Sequence, residues 1–500
     1  MSIKDDFLDI PSIPKLISNT LAVELWRKGV REWNNWISKN PEVEIDFSNI
    51  DFSEINPGVI SFEGYIFPEG GVTFSNSTFN ESDIIFRNSY FKGPVYFEDM
   101  NLQKCEIDFE GASFDSDASF LETTFQESVL SFKRTDFRGQ LVSFERMRCI
   151  STSVFFYNTQ FNCIDTIFSD VQFSGDIILF AGSQFECETV DFAGSLFKDS
   201  ALFINTTFNA QDVSFSNVQF EGEDTDFTEA KFNSNTSFTG SVFKGVVRFF
   251  ETKFHNKSYD FSKCIFEQHF DFSRIEDIKD AREITFRHAM FESSFDLSNI
   301  KLNCVIDLTG TKLTNQLSIA GLECNIQRTR FLPSKNKEDS DRLRRLKDIC
   351  TTNNDHLAAL RFHASEMRSR RWHHSTGSPS IPSTIAASLL DIAYDWSSVY
   401  GQSIIRPFLW LLLLISLFAV KYSELIQKTH TLPELVNLML FSIGNSLPFI
   451  HLSKLAREAK IEEIFVNTPP NLYDWLILQG SLSFIFIFLI GLGLRNRFRI

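Results

Sequence analysis

The 500-residue chain carries 64 acidic against 48 basic residues, a formal net charge of −16, and 55 phenylalanines. That length exceeds one ordinary hydrophobic core, so at least two structural units are expected, and the acidic balance argues against a surface built to grip phosphates. The first thirty residues hold no basic stretch followed by an apolar one, so no signal peptide is read and the start of the chain is expected in the cytoplasm.

Residues 1–40 form the first predicted unit. Leu16, Leu21, Val23, Leu25, Trp26, Val30, Trp33, Trp36 and Ile37 recur at mostly helical spacing with Arg27, Lys28, Arg31 and Glu32 between them, which predicts one amphipathic helix. Ahead of a repeat array such a helix covers the open end of the first coil; lying on a membrane surface is the second reading of the same face.

The array occupies 41–330. Its core ladder includes Phe114, Phe125, Phe137, Phe161, Phe173, Phe185, Phe197, Phe208, Phe220, Phe232 and Phe243, and a short step of five residues alternates with one of six or seven. The residue two before a short-step Phe is often small, as at Ala112, Ser195, Ala230 and Ser241. Two before a long-step Phe it is often aliphatic, as at Val72, Ile84, Leu130 and Val154. Side chains two apart share a face in extended chain, so both positions are expected to point inward. One coil alone would lose, because burying a Phe contributes about 1.5–3 kcal/mol while ordering each residue's backbone costs about 1–2 kcal/mol. The coils must therefore stack.

Runs such as Asp191-Phe-Ala-Gly-Ser-Leu-Phe197 and Asp226-Phe-Thr-Glu-Ala-Lys-Phe232 resemble the pentapeptide-repeat family. The resemblance implies a right-handed quadrilateral β-helix, and two step pairs per coil give about eleven coils. The longer step departs from the family's even spacing and implies extra residues at alternate corners. Residues 41–330 hold 45 acidic and 23 basic residues, an acidic rod. Family members that mimic DNA and bind topoisomerases share that character, while plain solubility of a charged solenoid is the simpler account of it. A protein partner on the acidic rod is expected and direct nucleic-acid binding is not. Cys163 and Cys187, one double period apart, are expected to stack on adjacent coils as packing groups.

A helical neck is predicted at 331–375, with Asn353-Asn354-Asp355 as the turn and Leu343, Leu346 and Ile349 packed on Leu357, Leu360 and Phe362. Its Arg368, Arg370 and Arg371 suit either anionic lipid headgroups or a solvated helix end. Residues 376–393 follow as a linker.

The last unit, 394–500, holds two apolar stretches at about 404–422 and 475–494, each long enough to cross a 30 Å hydrocarbon core. Arg406, Arg495, Arg497 and Arg499 flank them, which predicts a multi-pass protein of the inner (cytoplasmic) membrane with both termini cytoplasmic. Between them, about 432–450 is apolar yet contains Glu434, Asn437, Ser442, Gly444, Asn445, Ser446 and Pro448. A short helix followed by a turn at Gly444–Pro448 is expected there, as a re-entrant loop that lines a pore. The order helix, pore-like loop, helix resembles two-span ion-channel modules, and Tyr400-Gly-Gln-Ser-Ile-Ile-Arg-Pro-Phe408 is similar to the entry of the membrane module in other bacterial repeat proteins. The potassium-channel filter sequence is absent, so that selectivity is not implied. A plain anchor with an interfacial loop is the alternative.

No P-loop, nucleophile elbow or zinc spacing occurs, so no catalytic, cofactor or metal site is expected. The sequence thus predicts a membrane protein whose cytoplasmic sensing rod controls an oligomeric pore-like module, extended by analogy to a stress or phage-defence effector. The other expectation is a tethered acidic scaffold whose spans only localise it.

Overall fold

The computed structural model describes residues 16–326 except 57, 256 and 316, together with 336–371, 381–426, 432–447, 461, 464, 465 and 469–498. The chain divides into two compact units, Met1–Ile326 and Gln327–Ile500.

The first unit is a parallel β-solenoid of about twelve turns. Strands of two or three residues assemble into four sheets of 12, 12, 10 and 9 strands. Ile84, Ile107, Leu130, Val154, Ile178, Ala201, Thr225 and Val247 occupy one register position in successive turns, 22 to 24 residues apart. Most of these side chains are fully buried, and so is every ladder phenylalanine from Phe114 to Phe243. The turn count is about twelve where about eleven were expected, and Leu16–Ser18 is a strand, paired with Glu44–Asp46, where the periodicity predicts helix.

Stacking holds the coils together through the rings as well as the backbone. Phe132, Phe156, Phe180, Phe203 and Phe227 form one column with neighbouring centroids 5.1, 4.7, 4.9 and 5.0 Å apart and planes within 9° of parallel. Adjacent columns meet edge to face, as Phe168 does with Phe180 at 5.5 Å and 85°. This combination satisfies the ring quadrupoles on every side. In another column the register runs Phe125, Cys149, Phe173, so the beat that falters after Phe144 in the sequence does so because a buried thiol takes a phenylalanine's place.

Where the small residue before a short-step Phe is Ser or Thr, it has a second duty besides fitting. Ser195 Oγ donates to Phe168 O at 2.5 Å and accepts from Val171 N at 3.0 Å; Thr206, Ser241 and Thr252 likewise donate to phenylalanine carbonyls one turn back. Burial of a hydroxyl is unfavourable without such partners. Two residues after each of these turn-starting rings the backbone is left-handed, at Asn76, Asn88, Asn158, Asp170 and Asn217 among others. Gly182 fills such a corner with φ of 71°, and a Cβ there would lie 2.2 Å from Asn158 Oδ1 of the turn before, so side chain and glycine interlock.

The open first turn is covered by two helices rather than one, α1 (Thr20–Arg27) and α2 (Val30–Lys39), separated at Gly29 with φ of 88°. Trp26 Nε1 donates to Ser61 O and Trp33 Nε1 to Ile66 O at 3.0 and 2.8 Å. Asn34 bridges Gly64 O and Ile66 N, replacing the strand that this sheet edge lacks. The tryptophans extend the aromatic columns, with Trp33 stacked on Phe47 at 6.0 Å and 16°. The apolar face is therefore turned to the solenoid, although Leu21 stays exposed. A one-turn helix, α3 (Phe52–Ile55), follows, and a 3-10 turn at Ile278–Asp280 lengthens one later coil to 25 residues.

The second unit is helical. α4 (Asp339–Thr352) and α5 (His356–Arg370) pack through Leu343, Leu346, Ile349, Ala358 and Phe362, and Asp355 caps α5 by accepting from Ala358 N at 3.0 Å. Leu357 is exposed, contrary to the expected contact, because it lies on the other side of α5 from Phe362. α6 (Ile381–Ser398) begins inside the stretch expected as a linker: Pro382 suits a first helical turn, and Ala386, Ala387, Leu389 and Leu390 favour continuing it. α7 (Ile405–Ile426) and α9 (Leu472–Phe498) are long and apolar enough to cross a membrane, and α8 (Leu432–Ser446) lies between them in sequence. Asn496 Nδ2 donates to Gly401 O at 3.1 Å at one end, and Phe418 meets Trp475 at 6.2 Å at the other, so α7 and α9 are antiparallel.

Candidate functional site

α7, α8 and α9 combine an interior that mixes apolar and polar side chains with a largely apolar exterior. Ser442, Asn445, Ser446, Gln479 and Ser483 are fully or almost fully buried, while Leu409, Leu412, Leu417, Val436, Ile477 and Phe488 among others are exposed. Apolar faces outward and amides inward suit hydrocarbon surroundings.

Gln479 is the hub of the interior. Its Oε1 accepts from Tyr422 Oη at 2.7 Å and Asn445 Nδ2 at 2.9 Å; its Nε2 donates to Ser442 Oγ at 2.7 Å, Ser442 O at 3.0 Å and Ser446 Oγ at 2.9 Å. Asn445 Nδ2 also reaches Leu476 O, and Ser442 Oγ donates to Ile415 O at 2.8 Å. One amide thus ties all three helices. Phe418, Tyr422, Leu438, Phe441, Phe465, Leu472 and Leu476 pack beside it.

The levels of these contacts fix where α8 lies. Ile415 is eleven residues before the end of α7, about 16 Å at 1.5 Å per residue. Gln479 is seven residues past the start of α9, about 10 Å by the same rise. Leu438 and Phe441 pack at the level of Tyr422 and Leu472, nearer the end where α7 finishes and α9 starts. From there α8 descends, and its last turn sits well inside the trio.

Of the residues the sequence singled out, Ser442, Asn445 and Ser446 meet around Gln479, while Asn437 and Gly444 are half-buried. Gly444, Asn445 and Ser446 belong to the last turn of α8 rather than to a turn after it, because the inward hydrogen bonds of Ser442, Asn445 and Ser446 recur at helical spacing. The Glu434 side chain, Pro448 and Arg499 lie outside the described residues. Gln479 was not anticipated. The available signal was a lone amide in an apolar stretch with Ser483 one turn on, a pattern that requires a polar partner on a neighbouring helix. Ser483 Oγ is buried without a partner among the described residues.

At the other end of the trio, charges are paired. Arg368 forks onto Asp395 at 2.7 to 3.1 Å, and Arg371, 4 % exposed, bonds Asp391 at 2.6 Å and Asp395 at 2.9 Å. Tyr400 Oη joins Arg371 and Asp391 at 2.9 Å each. Burial alone would raise the Asp395 carboxyl, but the two arginines hold it below the usual range. Glu366, equally enclosed, is held low by Lys347, Arg344 and Arg370 against the same penalty. The Arg-rich end of the neck is therefore engaged with carboxylates, and Arg406, Arg495 and Arg497 are exposed at this end.

On the solenoid, Phe155, Leu179 and Leu202 stand in register on the outer face of one sheet, half-buried, with Lys133 Nζ 4.7 Å from the Phe155 ring. Cys163 Sγ and Cys187 Sγ lie 3.7 Å apart on adjacent turns, both bonded to Thr166 Oγ1. Among the described residues no group of three or more His, Cys, Asp or Glu is placed to hold a metal ion.

Comparison with known protein families finds no match, and no curated protein matches the chain.

Proposed function

We propose that the chain is a multi-pass inner-membrane protein whose pentapeptide-repeat rod, a right-handed quadrilateral β-helix, receives a protein partner and biases a pore-like helical module. The observation that carries the membrane half is the largely apolar exterior of α7, α8 and α9, with Gln479 and Asn445 inside and leucines outside. The descent of α8 to mid-level, with α9 starting at the end where α7 finishes, supports a re-entrant segment. Polar groups at that depth are where a water-filled path between copies would run. Arg406, Arg495 and Arg497 at one end favour a cytoplasmic position for both termini by the excess of basic residues on that side. Phe155, Leu179 and Leu202, an apolar stripe on an otherwise acidic rod, favour a protein partner over nucleic acid.

Reconstitution of the full chain into planar bilayers tests the pore. Ion currents that change in amplitude in Asn445→Leu support it. Protein that floats with liposomes yet passes no current removes it and leaves a second reading, a tethered scaffold. That reading is favoured by one observation: every polar atom of Gln479 is matched within a single chain, so the trio is complete as an anchor.

A further inference from the structure

We propose that the cleft between α6 and α7, lined by Trp396, Arg406, Leu409, Trp410 and Leu413, binds an anionic glycerophospholipid, with its phosphate on Arg406 and an acyl chain along Leu409 and Leu413. The inference rests on the membrane placement argued above and adds a ligand class and a binding site to it.

Arg406, Leu409, Trp410 and Leu413 fall at i, i+3, i+4 and i+7 of α7, one stripe of a helix. The stripe forms one wall of a depression of about 510 Å³. The other wall is Trp396 of α6, 68 % exposed and edge-on to Trp410 at 5.3 Å and 66°. Two tryptophans beside a cation at the end of a 22-residue apolar helix place an amphipathic lining where a headgroup meets its chains.

Charge selects the occupant. Asp391 and Asp395, the nearest acids on α6, are taken by Arg368, Arg371 and Tyr400. Among the described residues no carboxylate pairs with Arg406. Arg495 and Arg497, exposed in the last turn of α9, are brought to the same end by the Asn496–Gly401 hydrogen bond. The N-terminus of α7 adds its positive dipole end there. Three guanidinium groups that no carboxylate pairs with among the described residues favour a headgroup with net negative charge over a zwitterionic one, whose own ammonium would oppose them. The apolar floor below Arg406 favours a lipid over free phosphate.

The test uses the full chain in liposomes, with tryptophan fluorescence quenched by lipids brominated on the acyl chain. A double variant, Trp396→Phe with Trp410→Phe, identifies the signal from this cleft. Brominated phosphatidylglycerol is expected to quench it with about fivefold preference over brominated phosphatidylcholine, the effect of one charge near an anionic surface. Arg406→Gln should remove the preference, Arg406→Lys should keep most of it, and millimolar inorganic phosphate should not compete. Equal quenching by the two lipids in the unsubstituted chain overturns the proposal, as does full competition by free phosphate. A chain that fails to float with liposomes refutes the membrane placement itself, a different outcome from loss of lipid selectivity.

Discussion

Asn445 Nδ2 on α8 donates to Gln479 Oε1 on α9 at 2.9 Å, and the same oxygen accepts the Tyr422 hydroxyl of α7 at 2.7 Å. Gln479→Leu would remove a hydrogen bond from each of Tyr422, Asn445, Ser442 and Ser446 in a closed interior. A loss of about 1 kcal/mol follows from interhelical bonds of the strength measured in bilayers. Unfolding of the detergent-solubilised chain by SDS titration reads this directly. A variant as stable as the parent would mean that the cluster does not hold α8 in place.

Phe180 lies between Phe156 and Phe203 at 4.7 and 4.9 Å, with no exposure. Phe180→Ala is expected to cost about 3–5 kcal/mol, because the rigid coils above and below cannot collapse into the space. Phe180→Leu should cost clearly less. Hydrogen exchange should show the loss concentrated in the turns next to the substitution, as nearest-neighbour stacking requires. Uniform destabilisation of all twelve turns would contradict that coupling.

The array was legible because each turn repeats one decision. Phe at a fixed beat, with a small or aliphatic residue two positions earlier, states the inward face so often that single exceptions such as Cys149 do not hide it. The ends were less legible. Leu16–Ser18 is too short to show alternation, and Gly29 breaks the first helix at a place where the apolar spacing on both sides still reads as continuous. In the helical unit, the apolar stretches announced α7 and α9 and the polar residues of α8 announced an interior. Gln479 escaped because its partners lie 33 to 57 residues away, and nothing local marks an amide as a hub. Arg368 and Arg371 were open to either reading for the same reason: Asp395 and Asp391 lie 27 and 20 residues further along the chain.

Cys187 should be more reactive than Cys105, Cys149 and Cys264. Its contact with Cys163 lowers the Cys187 pKa, while Cys163 itself is pushed up by that same contact and by burial. Burial also pushes Cys105 up to about 11, leaving it almost wholly protonated at neutral pH. Timed iodoacetamide labelling of the native chain at pH 7, read by peptide mass spectrometry, should modify Cys187 ahead of Cys105, Cys149 and Cys264. Cys163→Ala should slow that labelling, since it removes the neighbouring group that lowers the Cys187 pKa. Labelling of Cys149 at the rate of Cys187 would contradict the burial of the former.

Glu366 gathers Lys347, Arg344 and Arg370, with His363 Nδ1 3.7 Å away, on one carboxylate whose pKa is depressed below the ordinary glutamate value of about 4.3. A depressed pKa means that the folded state holds its proton less tightly than the unfolded one, so the stabilisation is fully present above about pH 4.3 and is lost as pH falls through the lower, folded value. The neck should therefore be insensitive to pH between about 5 and 8 as far as this group is concerned. Glu366→Gln removes the charge but keeps the shape. The stability difference between parent and variant should be constant near neutrality and shrink toward zero in strong acid, where both side chains are uncharged. Thermal unfolding of the two proteins across that range measures it, and a difference that grew on acidification would mean that Glu366 is held protonated, with burial outweighing its three cations.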